Sequence, residues 1–490
     1  MKTRFFISVL FMLSANAFSQ VKAPAAKPTV LEGMLAPDRN DSIHITLYRE
    51  TFGRKKVNAE SLSAKVHNGK FKFRIKGLDK IAYLQLPGTL FKESFLVEPG
   101  DSVFIQVSTG GLRFSGRNAL KYECSYLTDS LLRKMIASKK PVFITAAKIA
   151  KDVMSGLAST RVDSAYNLQM QMLQKYKASM SQAAFDVLKN DYYGSNKNAK
   201  IMRFLLRWWP EAFRLPDSIE RKKKLIAFYK AQIADDTIHT SWSSKAVSEE
   251  YVDYILQRKL IEDLIRRNGR SAKVLLPLIQ QLQEEYQHAP DLFREKLLTS
   301  FLIYYPRTNQ DYAGCAEFGL KKVRNDSYRA LITHFKNSYE TLKPAYPFSF
   351  KDTAGNTVTL NDFKGKVLLL DFWFEGCSPC KMLTQRMKPV LDSFKDSAKV
   401  VFVNVYVDKD RDTWLRALKG GEYTDPSSLS LYTNGLGIGD PFLKFYNLTG
   451  CPKLILINGK GEVVSVTPPM PDGSAEVRDK LIDLIRRTIS

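Results

Sequence analysis

Val367-Leu368-Leu369-Leu370-Asp371-Phe372-Trp373-Phe374-Glu375-Gly376-Cys377-Ser378-Pro379-Cys380 is the most informative stretch of this chain. Its first half is a short, almost entirely apolar run that starts just after Gly365, the pattern of a strand buried on both faces in a parallel sheet. The run leads directly into Cys-x-x-Cys, and Lys381 to Phe394 carries the apolar spacing of a helix. Cys377 therefore falls at a helix N-terminus, where unpaired N–H groups and the macrodipole favour a thiolate. Cys380, one turn further on, is near enough to close a disulfide with it. Strand, cysteine pair and helix together read as a dithiol redox site.

Around these residues the sequence resembles the thioredoxin superfamily. Asp371-Phe372-Trp373-x-Glu375-x-Cys377-x-Pro379-Cys380-Lys381-Met382 follows that family's active-site pattern. The approach, Phe350-x-Asp352-x-x-Gly355-x-x-x-x-Leu360-x-x-Phe363-x-Gly365-Lys366, is similar to the exported TlpA/ResA-like branch. Tyr446-x-x-x-Gly450-Cys451-Pro452-x-Leu454-x-Leu456-Ile457 resembles the cis-proline strand of the same fold. The resemblance runs from about Pro347 to Ser490, under a third of the chain.

Chemistry and resemblance give each residue a role. Cys377 is the expected attacking thiolate and Cys380 the resolving thiol. Asp371 lies on the buried strand, where desolvation favours the neutral carboxyl, and it can take the Cys380 proton. A strand-end carboxylate that merely meets solvent is the plainer alternative. Pro452 is expected to be cis and to turn the Cys451 backbone toward the pair, where an extended substrate can add like a strand. Trp373, Gly376, Ser378, Pro379 and Cys451 join Pro452 as substrate-docking residues, and Glu375 and Lys381 as modulators. Cys451 stands where the family more often has Thr, Val or Ile. It is either a third sulfur that exchanges with or tunes the pair, or a small apolar filler. Gly376 replaces a second tryptophan of thioredoxin itself and opens the surface beside Cys377. Glu375 either shifts the site's proton balance or is simply a solvated carboxylate. Half a zinc site would need two further ligands. The five histidines (His44, His67, His239, His288 and His334) all lie outside this region, so no metal is expected.

The remaining 340 or so residues need other domains, since 490 residues exceed a single core. Lys2 and Arg4, the apolar run Phe5 to Leu13 and the small residues around Ala15 to Ser19 form an export signal. This signal is too short to span a bilayer, and no later segment has membrane-spanning length. The chain is expected in the periplasm or cell envelope as a soluble protein. The expected layout is a signal peptide (1–19), a flexible Ala/Pro/Lys-rich leader (20–30), a small β-sandwich (31–116), an all-α domain (117–343) and an α/β thioredoxin fold (344–490).

The β assignment rests on alternation in Ile43–Leu47 and Phe71–Ile75, and on Asn68-Gly69, a hairpin turn signal. With Val97-Glu98-Pro99-Gly100-Asp101 this region resembles the small sandwich that precedes some exported thioredoxin domains. It is a docking module or a spacer. From Leu120 to about Leu342 strand signals vanish and amphipathic stretches take over, separated by Pro210, Pro216, Asn268-Gly269 and Pro290. Phe204, Trp208, Trp209, Tyr304 and Tyr305 are expected in that core. Lys343-Pro344-Ala345-Tyr346-Pro347 reads as a hinge, and Gly420 to Asn447 as a loop-rich insertion bordering the site.

The formal charge is +24. From Pro347 onward 19 Lys and Arg stand against 17 Asp and Glu, leaving +22 upstream. That basic load meets an acidic partner or anionic surface, or is a solvated face. No nucleic-acid module is visible. Five cysteines leave Cys124 and Cys315 either paired or as two buried thiols.

The function these readings imply is an exported thiol-disulfide oxidoreductase without a bound cofactor, reducing protein disulfides, apocytochrome c among them. Its electrons would come from a membrane thiol donor. Pro379 resembles the more reducing family members, near about −270 mV against about −120 mV for the oxidising ones. The alternatives are an envelope disulfide oxidase or isomerase, and a partner-binding envelope protein with an auxiliary redox domain.

Overall fold

The computed structural model describes residues 28–489 except 36–40, 54–56, 58, 88–93, 110, 138–156, 205–218, 220–222, 224–225, 228, 268–274, 305–311 and 449. The expected signal peptide, most of the leader, Trp208, Trp209 and Tyr305 lie outside these residues. The chain divides into two compact units, one of residues 1–49 and 59–131, the other of 50–58 and 132–490.

The first unit holds two four-stranded sheets. One has the order β4-β1-β7-β8, from Lys70–Ile75, Thr29–Met34, Ser102–Ser108 and Gly111–Arg117. The other has the order β3-β2-β5-β6, from Glu60–Lys65, Ser42–Tyr48, Ala82–Gln85 and Ser94–Val97. Alternate apolar residues of both sheets, such as Leu31, Phe73 and Ile105 with Ile45, Leu84 and Val97, meet in one core. Asn68 and Gly69 both take positive φ, as a tight reversal requires. The turn is closed by a single His67–Lys70 bridge, after which β3 and β4 part into different sheets. The Val-Glu-Pro-Gly-Asp element has a local cause. Asp101 is fully buried and accepts from the Glu98 amide at 2.9 Å, Asn118 Nδ2 at 2.8 Å, Lys121 Nζ at 2.7 Å and the Tyr122 hydroxyl at 2.8 Å.

The described residues of the second unit from Leu157 to Tyr339 are mostly helical. Helices Glu249–Arg266 and Asp291–Tyr304 run through its centre, burying Tyr251, Tyr254, Ile255, Phe293, Leu297 and Phe301. Phe204 is also in this core. Two buried charges here pair with more exposed partners: Arg258 with Glu285, and Asp263 with Arg266 and Arg267.

After Tyr339 the chain enters a seven-stranded sheet of order β10-β9-β13-β12-β11-β14-β15. Its strands are β9 (Ser349–Lys351), β10 (Thr357–Thr359), β11 (Val367–Trp373), β12 (Val400–Tyr406), β13 (Leu429–Tyr432), β14 (Lys453–Ile457) and β15 (Val463–Ser465). The central β11 runs parallel to β12 and antiparallel to β14. Helix α1 (Ser378–Asp392) and helix α2 (Ala475–Ile489) cover one face. The period of two then decides what points where. Leu368, Leu370 and Phe372 join the core of the opposite face, whereas Val367 and Leu369 pack under α1 and α2. Asp371 shares the parity of the second set, so it lies beneath α1.

Two expectations about connections are revised. Residues 420–447 are less loop-like than their glycines suggest, because Leu429–Tyr432 pairs with β12 as β13 and Pro441–Phe445 forms a short helix. The Pro-containing segment after Tyr339 is fastened along the sheet edge rather than hinged. Leu342 N donates to Val463 O at 2.7 Å, Val463 N to Lys343 O at 2.9 Å, and Ala345 N to Gly461 O at 2.9 Å.

Candidate active site

Cys377 and Cys380 are joined in a disulfide, with their Cα atoms 5.2 Å apart. Cys377 is the N-cap of α1, and its sulfur accepts from the Cys380 amide at 3.2 Å. The following fifteen-residue helix places its positive end at this sulfur. Gly376 has φ of +87°, and a Cβ there would meet open space. Backbone conformation, not crowding, therefore calls for glycine at this position.

Cys377 and Cys380 are equally buried, each 3% exposed. The leading sulfur is thus no more exposed than the resolving one. Trp373, Tyr406, Trp414, Tyr423 and Tyr432 form an apolar cluster around the pair. Trp373 is fully buried and stacks on Tyr423, with ring centroids 5.0 Å apart and planes at 12°. It supports the pair from behind and offers no docking surface. Glu375, Gly376, Ser378 and Pro379 are exposed, flanked by the part-exposed apolar Phe374 and Met382.

Tyr423 and Glu422 come from the insertion and were not anticipated individually. The Tyr423 hydroxyl accepts from the Gly376 amide at 2.8 Å. Lys381 is paired with Glu422 at 2.5 Å and lies over the Tyr423 ring, 4.9 Å from its centre. The hydrogen bond to Glu422 raises the Lys381 pKa. Thr384, one turn after Cys380, donates to Tyr423 O at 2.8 Å and to Cys380 O at 3.1 Å. The insertion is thus bonded both to the loop before the disulfide and to the helix after it.

Asp371 is the buried acid of the site. Its residue keeps a small exposed fraction, but Oδ1 is shut off from solvent and has no hydrogen-bond partner among the described residues. Burial pushes its pKa up to about 8. The Cys451–Pro452 peptide is cis, and Cys451 packs against the cluster that holds the two paired sulfurs. Burial, then the nearby Asp371 carboxylate, push the Cys451 thiol up to about 12. At neutral pH that thiol is protonated, and only a thiolate exchanges with disulfides. The filler alternative is favoured over a third exchanging sulfur. Cys124 and Cys315 are buried thiols. Among the described residues no cluster of three His, Cys, Asp or Glu side chains is placed to hold a metal ion. No described helix is long and apolar enough to cross a membrane.

Comparison with known proteins places this site in context. A family profile described as thioredoxin-like matches residues 365–463. The thiol-disulfide oxidoreductase ResA of Bacillus subtilis is 30% identical over 131 residues, covering 27% of this chain and 69% of that protein. The thioredoxin-like protein YneN of the same organism is 27% identical over 119 residues, covering 24% of this chain and 66% of that protein. The chain thus spans about two thirds of the length of these relatives. A solved thiol:disulfide interchange protein from Bacteroides sp. is 28% identical, matching 31% of this chain and 91% of its own with a TM-score of 0.26.

Proposed function

Because the chain belongs to the thioredoxin-like family of thiol-disulfide oxidoreductases, we propose that it is an exported reductase of protein disulfides. The observation that carries this reading is the Cys377–Cys380 disulfide at a helix N-terminus, with the buried Asp371 carboxyl on the strand beneath.

In the reduced protein the Cys377 thiolate attacks one sulfur of a substrate disulfide. That S–S bond breaks, a substrate thiolate leaves, and a mixed disulfide joins Cys377 to the substrate. Cys380 then gives its proton to Asp371 and attacks the Cys377 sulfur. The second substrate sulfur departs as a thiolate, which takes its proton from water, and the protein is left as its Cys377–Cys380 disulfide. Two electrons have moved from the protein dithiol to the substrate. A carboxyl that titrates near the working pH suits this exchange, because it can both accept and return the proton.

The finer parts of the proposal lean on the sequence. The export signal supports an envelope location, and Pro379 supports the reductive direction. A reductase in an oxidising compartment needs electrons, so a membrane thiol protein is its donor, and envelope proteins such as apocytochrome c are its substrates. Pro452 and the Cys451 backbone receive an extended substrate segment. We read the N-terminal sheets as a sandwich and the five segments laid out above as the domain plan. Redox equilibration of the pair against glutathione or dithiothreitol tests the direction. A midpoint near about −270 mV supports a reductase, and one above about −200 mV points to an oxidase or isomerase.

A further inference from the structure

Asp371 and Asn404 stand opposite each other in the parallel β11–β12 ladder, both on the face beneath α1. Asn404 is 6% exposed, in a strand otherwise made of valines and aromatics. Its Nδ2 and the Asp371 Oδ1 are both buried, and neither has a partner among the described residues. An unpaired buried polar atom costs stability, so this arrangement is not what packing alone would choose.

A cavity of about 20 Å³ is lined by both residues. Asp371, Thr384, Asn404, Asp425 and Ser428 supply its polar wall. One water needs roughly 10–15 Å³ on this scale and two to four polar neighbours, and both conditions are met here. The α1 residues that line the cavity are Thr384, Met387 and Leu391, further along the helix than Cys380, and none of the described lining residues is a cysteine. Its rim is formed by Asp425 and Ser428, both half-exposed.

We propose that this cavity is a water site connecting the Asp371 carboxyl to solvent behind the disulfide, with Asn404 as the residue that positions the water. The inference rests on the redox reading above and adds the route of the proton. Asp371 receives the Cys380 proton, then gives it to the bonded water. That water passes one of its own protons to solvent at the Asp425–Ser428 rim, and no electrons move. Proton exchange thereby avoids the face that a docked substrate would cover.

The groups facing Asp371 fit this role. Thr384 on α1, Asn404 on β12 and Leu454 on β14 are neutral, and the Cys451 thiol is protonated. Asp425 is the charged group at the rim, its pKa lowered by hydrogen bonds from Ser427 and, less, by the charge of Lys388. None of the described residues that line the cavity with Asp371 is a cation that would hold its carboxylate ionised. The water and the Asn404 amide are the donors left to it.

The test uses the oxidised full chain. The Asp371 carboxyl is titrated by NMR, long-lived internal water is detected by hydration NMR, and the pH profile of insulin-disulfide reduction is recorded in parallel. Asn404→Leu fills the cavity and removes the donor. It is expected to lose the water signal, raise the Asp371 titration by about one pH unit or more, and displace the turnover profile upward with it. Asn404→Ser keeps room for water and a hydroxyl, and is expected to titrate within about 0.3 units of the wild type. Absence of a long-lived water near Asp371 in the wild type overturns the proposal. So does an unmoved titration in Asn404→Leu, or a full-unit shift in Asn404→Ser. If water and titration behave as stated while the wild type fails to reduce insulin, the water site stands and the reductase reading falls.

Discussion

The Tyr423 hydroxyl accepts a hydrogen bond from the Gly376 amide at 2.8 Å, tying the loop before the disulfide to a segment 47 residues away. On the far side of the pair, Lys381 is held by Glu422. The conformation of the redox loop therefore depends on the insertion as well as on its own residues.

Removing that hydroxyl should loosen the loop. Tyr423→Phe keeps the ring that stacks on Trp373 but leaves the Gly376 amide without this acceptor. A loss of about 0.5–1.5 kcal/mol is expected in urea unfolding of the oxidised protein. Faster hydrogen exchange at the Gly376 amide should accompany it. Unchanged stability and exchange would show that the bond does not hold the loop.

Asp371 makes stability depend on pH in a stated direction. Its folded pKa of about 8 exceeds the unfolded value of about 3.9, so the native state binds more protons between these limits. The oxidised protein should lose on the order of 1 kcal/mol per pH unit from about pH 4 to about pH 8, and level off above. Asp371→Asn should abolish this slope and be the more stable protein at the alkaline end. Parallel pH curves for the two proteins would contradict the buried, raised carboxyl.

The three cysteines outside the disulfide should be hard to label. Burial pushes Cys124 up to about 11, burial and then Asp371 push Cys451 up to about 12, and Cys315 is fully enclosed. Iodoacetamide at pH 8 should leave the native oxidised protein unmodified over minutes, because so little thiolate is present. In denaturant, mass spectrometry should find three adducts. Rapid native labelling of Cys451 would restore it as a reactive third thiol.

Asp101 should be a stability determinant of the N-terminal unit. Asp101→Ala strands the buried Lys121 ammonium, whose partners are Asp101 and Glu98. Removing one member of a buried ion pair typically costs about 3–5 kcal/mol. Thermal unfolding of the full chain should show a lower transition for this variant, and an unaltered transition would mean that the network is dispensable.

The legibility of the sequence followed the range of the interactions. The β11–Cys377–α1 unit was readable because strand run, cysteine spacing and helical period are local features of consecutive residues. The alternation of β4 and the Asn68-Gly69 turn were readable for the same reason, yet which sheet β3 and β4 join was not. Tyr423 and Glu422 reach the site by a loop with no periodicity, so nothing near them in sequence signals the contact. Asn404 was not singled out, because its pairing with Asp371 depends on the register of two parallel strands. The burial of Cys377 depends on aromatic residues brought from β12, β13 and the insertion, which a motif does not encode.

The claim beneath all of this is that Cys377 and Cys380 exchange two electrons as a unit. Equilibrating the full chain over a series of thiol–disulfide buffers, quenching with an alkylating agent and weighing the products tests it directly. The account expects one two-electron transition in which adducts on Cys377 and Cys380 appear together as the buffer becomes reducing. Adducts on both sulfurs under strongly oxidising buffer, or a pair that stays closed throughout, would contradict it.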